Sequence, residues 1–98
     1  MKRPSKLPPL ELVEMIFDYD PITGDLIRKK TGKVVTNNDR TTGYRKVRIG
    51  RLTTQVSRIA WYLFYREDPV GYYIEHKDEC KQNNKIENLR KVKYRGKR

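Results

Sequence analysis

Ile74-Glu75-His76-Lys77-Asp78, continuing through Asn83-Asn84 to Asn88-Leu89-Arg90, is the stretch that decides the fold. It carries the single histidine of the chain, an acid directly before it, and asparagines eight and twelve positions after it. The preceding run Val70-Gly71-Tyr72-Tyr73-Ile74 reads as a strand that delivers Glu75 and His76 at its end. If the extension continues, the two side chains leave on opposite sides. Lys77 to Gln82 is too polar for a core. Asparagine both donates and accepts hydrogen bonds, so Asn84 and Asn88 can tie this loop to its own backbone. Ile86 and Leu89 would anchor a final turn or short helix. An acid beside a histidine, with spaced amides, is the set that metal-assisted phosphodiester cleavage uses. The same residues also make a plain hydrogen-bonded histidine among turn-forming asparagines, and both readings stand at this point.

Upstream of the stretch lies the clearest helical pattern. Val56, Ile59, Ala60, Leu63 and Phe64 recur at helical spacing, with Thr53 or Thr54 placed to cap the start. Trp61, Tyr62 and Tyr65 thicken this helix into the expected centre of the core, Trp61 as a packing residue. Arg66-Glu67-Asp68-Pro69 stops it. Before it, Gly43 opens a strand pattern with Val47 and Ile49 on the face of Arg45, and Tyr44, Lys46 and Arg48 on the other. Gly50-Arg51 suits a two-residue turn into Leu52-Thr53-Thr54. Asp25-Leu26-Ile27-Arg28, a cationic tip and Val34-Val35 read as a smaller hairpin. Leu10, Val13 and Phe17, with Leu12 and Ile16, predict a short helix over about 9–17, ended by the turn-rich run Asp18-Tyr19-Asp20-Pro21-Ile22-Thr23-Gly24. Met1 to Pro8 reads as a flexible basic arm.

The chain has 98 residues, of which 36% are hydrophobic and 36% charged, with a formal net charge of +11. One thin-cored domain follows. So much positive charge on so small a body calls for a polyanion, and nucleic acid is the expected partner. Arg45, Lys46, Arg48 and Arg51 on the sheet, and Arg90, Lys91 and Lys93 in the basic C-terminus, are the candidate DNA contacts. A solvated basic surface is the plainer account of the same charges. Cys80 is the only cysteine, which excludes a disulfide framework and a Cys-based zinc site. No signal-peptide or membrane-spanning apolar run is present, so an intracellular, soluble protein without membrane contact is expected.

These residues resemble the phage and intron HNH endonucleases of the ββα-metal fold. Glu75-His76, Asn83-Asn84 and Asn88-Leu89-Arg90 are similar to that family's signature, and Phe17 to Gly24, Gly43-Tyr44-Arg45 and Arg58-Ile59-Ala60-Trp61 to its upstream blocks. The resemblance implies that His76 is the general base, Asn84 the residue that steadies the catalytic loop, and Glu75 the ligand of Mg2+ or another divalent metal ion. It implies Asn88 as the start of a short helix, Arg58 and Arg90 as DNA contacts, double-stranded DNA as the partner, and the cytoplasm of a phage-infected bacterium as the location. Glu75 replaces the family's usual aspartate, and Ser57 its usual histidine before Arg58. The family's second metal ligand would fall at about Lys97, whose ammonium cannot ligate a cation.

The expected fold is α+β: a small N-terminal helix and β-hairpin sheet packed on a central helix, followed by a C-terminal ββα-metal (HNH-like) element. Residues 1–8 are expected as an arm and 9–98 as one domain, split into 9–54 (helix and DNA-gripping sheet) and 55–98 (central helix and motif). Two functions compete: a nuclease that nicks or cleaves DNA, and a DNA-binding module that has lost the cut. A protein-interaction factor is a third possibility.

Overall fold

The computed structural model describes residues 6–93, and within them the helical pattern at Val56, Ile59 and Ala60 becomes the axis of the molecule. In chain order the elements are α1 (Leu10–Ile16), β1 (Phe17–Tyr19), β2 (Leu26–Arg28), β3 (Lys46–Ile49), β4 (Leu52–Gln55), α2 (Val56–Tyr65) and β5 (Tyr72–His76). A 3-10 turn at Ile86–Asn88 and β6 (Leu89–Lys93) complete them. The strands form three separate antiparallel pairs, β1–β2, β3–β4 and β5–β6. A lone two-stranded hairpin is marginal in water, so each pair depends on what it packs against. That support is α2.

One side of α2 presents Val56, Ile59 and Tyr62 to Leu7, Val13, Phe17, Leu26, Val35, Val47 and Ile49. Ala60 faces a second, smaller cluster with Ile74 and Leu89, edged by Trp61, Ile86 and Tyr19. Tyr19 borders both clusters. In β3, Val47 and Ile49 are buried while Arg48 is exposed, the alternation a half-buried strand requires. Gly50 and Arg51 form the turn between paired Ile49 and Leu52, as their sequence suggests. The α+β class follows the sequence reading, but Phe17–Tyr19, read as a helix end and a turn, is the strand that pairs with Leu26–Arg28, while Val34 meets Ile27 only as an isolated bridge.

Several expectations are corrected. Leu89–Lys93 is a strand rather than the start of a helix, and it pairs along the whole of β5, from Tyr72 with Lys93 to His76 with Leu89. Among the described residues no helix follows β6. The region of Lys97, like Met1 to Ser5 of the arm, lies outside the described residues. Leu7 and Pro8 are no free arm. Leu7 is 5% exposed and its N–H donates to Asp68 Oδ2 at 2.9 Å, while the Pro8 carbonyl accepts from the Tyr62 hydroxyl at 2.7 Å. Phe64 is 45% exposed, because the apolar face of α2 is narrower than its sequence suggests. Thr53 and Thr54 lie in β4 and do not cap α2, whose first residue follows Gln55 directly.

Candidate active site

The site is built on the end of β5. Alternation turns Ile74 and His76 inward and Glu75 outward. His76 keeps 8% of its surface exposed and sits opposite Leu89 on β6. Its Nε2 lies 2.8 Å from Oδ1 of Asn84, a side chain only 1% exposed. With a carboxamide oxygen as partner, Nε2 carries the proton, and a neutral imidazole then keeps its lone pair on Nδ1. The ring of Tyr44 packs against the imidazole, with centroids 5.6 Å apart and planes at 34°.

The loop that supplies Asn84 is fastened at three places. Within the loop, the Asp78 carboxylate accepts from Asn83 Nδ2 at 2.8 Å, Cys80 N at 2.8 Å and Asn88 Nδ2 at 2.9 Å. Asn88 answers by accepting from Asp78 N at 3.1 Å, and its Nδ2 also reaches the Asn83 carbonyl. The Asn83 bond and then the others hold the Asp78 carboxyl below the usual carboxylate range. On one flank, Lys81 Nζ donates to the Thr42 carbonyl at 2.6 Å and lies 4.8 Å from the Tyr44 ring centroid, and Gln82 donates to the Gly43 carbonyl. The loop therefore holds the same turn that holds Tyr44 over His76.

On the other flank is the turn Tyr19–Gly24. The Tyr19 hydroxyl donates to the Asn84 carbonyl, and Ile86 N–H donates to the Pro21 carbonyl at 3.1 Å. Gly24, at φ +82°, lies so close that a Cβ there would come within 2.5 Å of Lys85 N and 2.7 Å of the Asn84 carbonyl carbon. Only glycine fits. Asp20 Oδ1 fixes the turn by accepting from Ile22 N at 2.9 Å and Thr23 N at 3.2 Å. The sequence reading gave Tyr19 and Gly24 no role. The density of turn residues marked this run but could not say what it packs against.

The remaining candidates are placed as follows. Glu75 lies on the face opposite His76, and its carboxylate accepts from Arg90, its partner across the β5–β6 ladder. Lys91 donates to Glu67 at 2.9 Å and lies 4.5 Å from the Tyr72 ring centroid, so its ammonium is already engaged. Trp61 is half-buried beside it and donates to the same carboxylate at 3.3 Å. Lys93, Arg48 and Arg51 are exposed, and Arg45 and Lys46 half-exposed. Arg58 is a correction. It is 7% exposed, with its guanidinium turned inward to the Tyr72 carbonyl at 2.6 Å and the Pro69 carbonyl at 3.1 Å. Burial lowers its pKa from the usual guanidinium value, with Asp68 opposing. It braces the entry to β5 rather than facing DNA.

Among the described residues no three of His, Cys, Asp and Glu come together as ligands, and the Glu75 carboxylate is committed to Arg90 on the far face of the strand.

Helices, hairpins and a buried His–Asn pair at a strand end define a small α+β domain of the HNH endonuclease fold. Residues 54–96 match the family model described as HNH endonuclease. The chain is also similar to a solved structure of DNA binding and cleavage by the HNH homing endonuclease I-HmuI, with a TM-score of 0.62 and 29% identity. The likeness covers 88% of this chain and 51% of that one, so the chain spans about half that protein's length. None of the curated proteins matches it. Nucleases of this family generally use a divalent metal. Among the described residues no helix is long and apolar enough to cross a membrane.

Proposed function

We propose that the protein binds duplex DNA and hydrolyses a phosphodiester bond in it, with His76 as the general base. The observation that carries this is the buried Asn84–His76 hydrogen bond beneath the Tyr44 ring. Asn84 fixes the tautomer, so Nδ1 can take a proton from a water molecule as its oxygen attacks phosphorus. The bond to the leaving sugar oxygen then breaks, and that oxygen takes a proton from solvent water to leave as a hydroxyl. Along the extended chain Tyr44, Lys46 and Arg48 project to one side, so a row of cations begins at the ring that touches His76 and runs away over about 13 Å. Lys46 and Arg48 would hold phosphates and bring the backbone to the base, with Arg51 at the end of the row. The similarity to a DNA-cleaving homing endonuclease supports this reading.

A second reading has its own support. Glu75 is bound by Arg90, and the described residues do not make a metal site. A domain in that condition can keep its grip on DNA without cutting. Supercoiled plasmid incubated with Mg2+ or Mn2+ separates the two. Nicking by the wild type that disappears in His76→Ala supports the nuclease. Absence of nicking by the wild type, with duplex binding intact, would sink the nuclease and leave the binding module.

A further inference from the structure

We propose that Tyr19 is a positioning residue of the site, setting His76 through Asn84 from outside the family-matched region. The proposal rests on the reading of His76 as the base, and extends it to a turn that lies before residue 54, where the family match begins. Asn84 is gripped at both ends. Its side-chain oxygen holds His76 Nε2, and its main-chain carbonyl receives the Tyr19 hydroxyl. Lys85 and Ile86, the next two residues, are seated by Gly24 and by the Pro21 carbonyl. Three consecutive residues of the loop therefore take their position from one turn more than sixty residues earlier in the chain.

The reach of this arrangement follows from the packing around Asn84. That residue is almost wholly buried, and its Nδ2 has no acceptor among the described residues. Among the described residues, His76 is the hydrogen-bond partner that meets this carboxamide. What locates it is therefore the position of its own backbone. Tyr19 holds that backbone from below, and Gly24 leaves no gap into which it could sink. Burial, with lesser contributions from Asp20 and Tyr65, raises the pKa of Tyr19, so the phenol keeps its proton and remains a donor. Were the Asn84 peptide to relax, the carboxamide would lose its line to Nε2. The imidazole could then take either tautomer, and only one of them leaves Nδ1 as the base.

The chain has one histidine, so a nitrogen-labelled full-length protein gives one set of imidazole signals. The comparison is wild type, Tyr19→Phe and Tyr62→Phe, with sucrose added to keep the variants folded. Tyr62→Phe is the control, because it also removes a hydroxyl bonded to a main-chain carbonyl, at Pro8, on the side of α2 away from the site. The wild type should show a single tautomer with the proton on Nε2. Tyr19→Phe should move both ring nitrogens toward tautomer averaging, and nicking should fall about tenfold or more, with duplex affinity unchanged within about twofold. Tyr62→Phe should lower the melting temperature and leave the ring signals at wild-type positions. Ring signals in Tyr19→Phe that stay at wild-type positions, or move no further than in Tyr62→Phe, would overturn the proposal. If the wild type does not nick, the nuclease reading fails by itself, and the ring signals still decide whether Tyr19 sets His76.

Discussion

A guanidinium away from water must find partners for its N–H groups, and the carbonyls of Pro69 and Tyr72 meet Arg58 at the point where the chain enters β5. Replacing it with alanine strands both carbonyls and leaves a hole beside α2. Arg58→Ala should cost about 2–4 kcal/mol in urea unfolding, and DNA affinity per folded molecule should be unchanged. Glu75 and Arg90 behave in the opposite way, since both side chains are about half exposed and their pair is screened. Glu75→Gln should change stability by less than about 1 kcal/mol in thermal unfolding. Asn84→Ala leaves a buried imidazole N–H without its acceptor, so it should cost about 1–3 kcal/mol and abolish nicking in the plasmid assay. That His76, Asn84 and Asn88 belong to one hydrogen-bonded loop was legible in the sequence because their types and spacing are local facts. The inward turn of Arg58 could not, since an arginine in a helix reads the same whether it faces water or two carbonyls.

The loop of residues 77–88 is the element on which the site depends, and Asp78 is its internal knot. Its carboxyl is held below the ordinary range, so the stabilisation it brings is fully present above the unfolded pKa and disappears as pH falls through the depressed folded value. Protection of the Cys80 and Asp78 amides, taken relative to their intrinsic exchange rates, should therefore be steady from neutral pH down to the ordinary carboxylate range and should fall in stronger acid. In Asp78→Asn that acid step should be missing. β6 was the element the sequence concealed. Leu89-Arg90-Lys91-Val92-Lys93 has three cations in five residues and looks like a basic tail. Its strand character comes from pairing with β5, and Lys91 is tolerated because its ammonium sits over the Tyr72 ring and meets Glu67. α2 and the β3–β4 turn, by contrast, carried strong local patterns and were read correctly.

For the whole molecule, the +11 charge sets the terms of association. Binding to duplex DNA should weaken steeply with salt, with a log–log slope of about −0.9 for each phosphate neutralised. Arg48→Ala combined with Arg51→Ala should make that slope shallower by about 2 and weaken binding evenly across unrelated duplexes, as read by fluorescence anisotropy. A slope unchanged by the pair would remove the β3–β4 cations from the DNA path. The α+β class was legible because a helix period, two strand alternations and several turns occur in sequence. How the pieces interlock was not, because Tyr19 and Asn84 are 65 positions apart and neither announces the other.

That separation also bears on the order in which the protein is completed. The turn around Gly24 leaves the ribosome early and has nothing to hold until residues 84–86 arrive. Closing so long a segment is entropically costly and slow compared with forming any one hairpin. A nascent chain stopped before Asn84 would carry the β3–β4 cations and α2 but no set imidazole. Its charge would be in place before His76 had the partner that orients it.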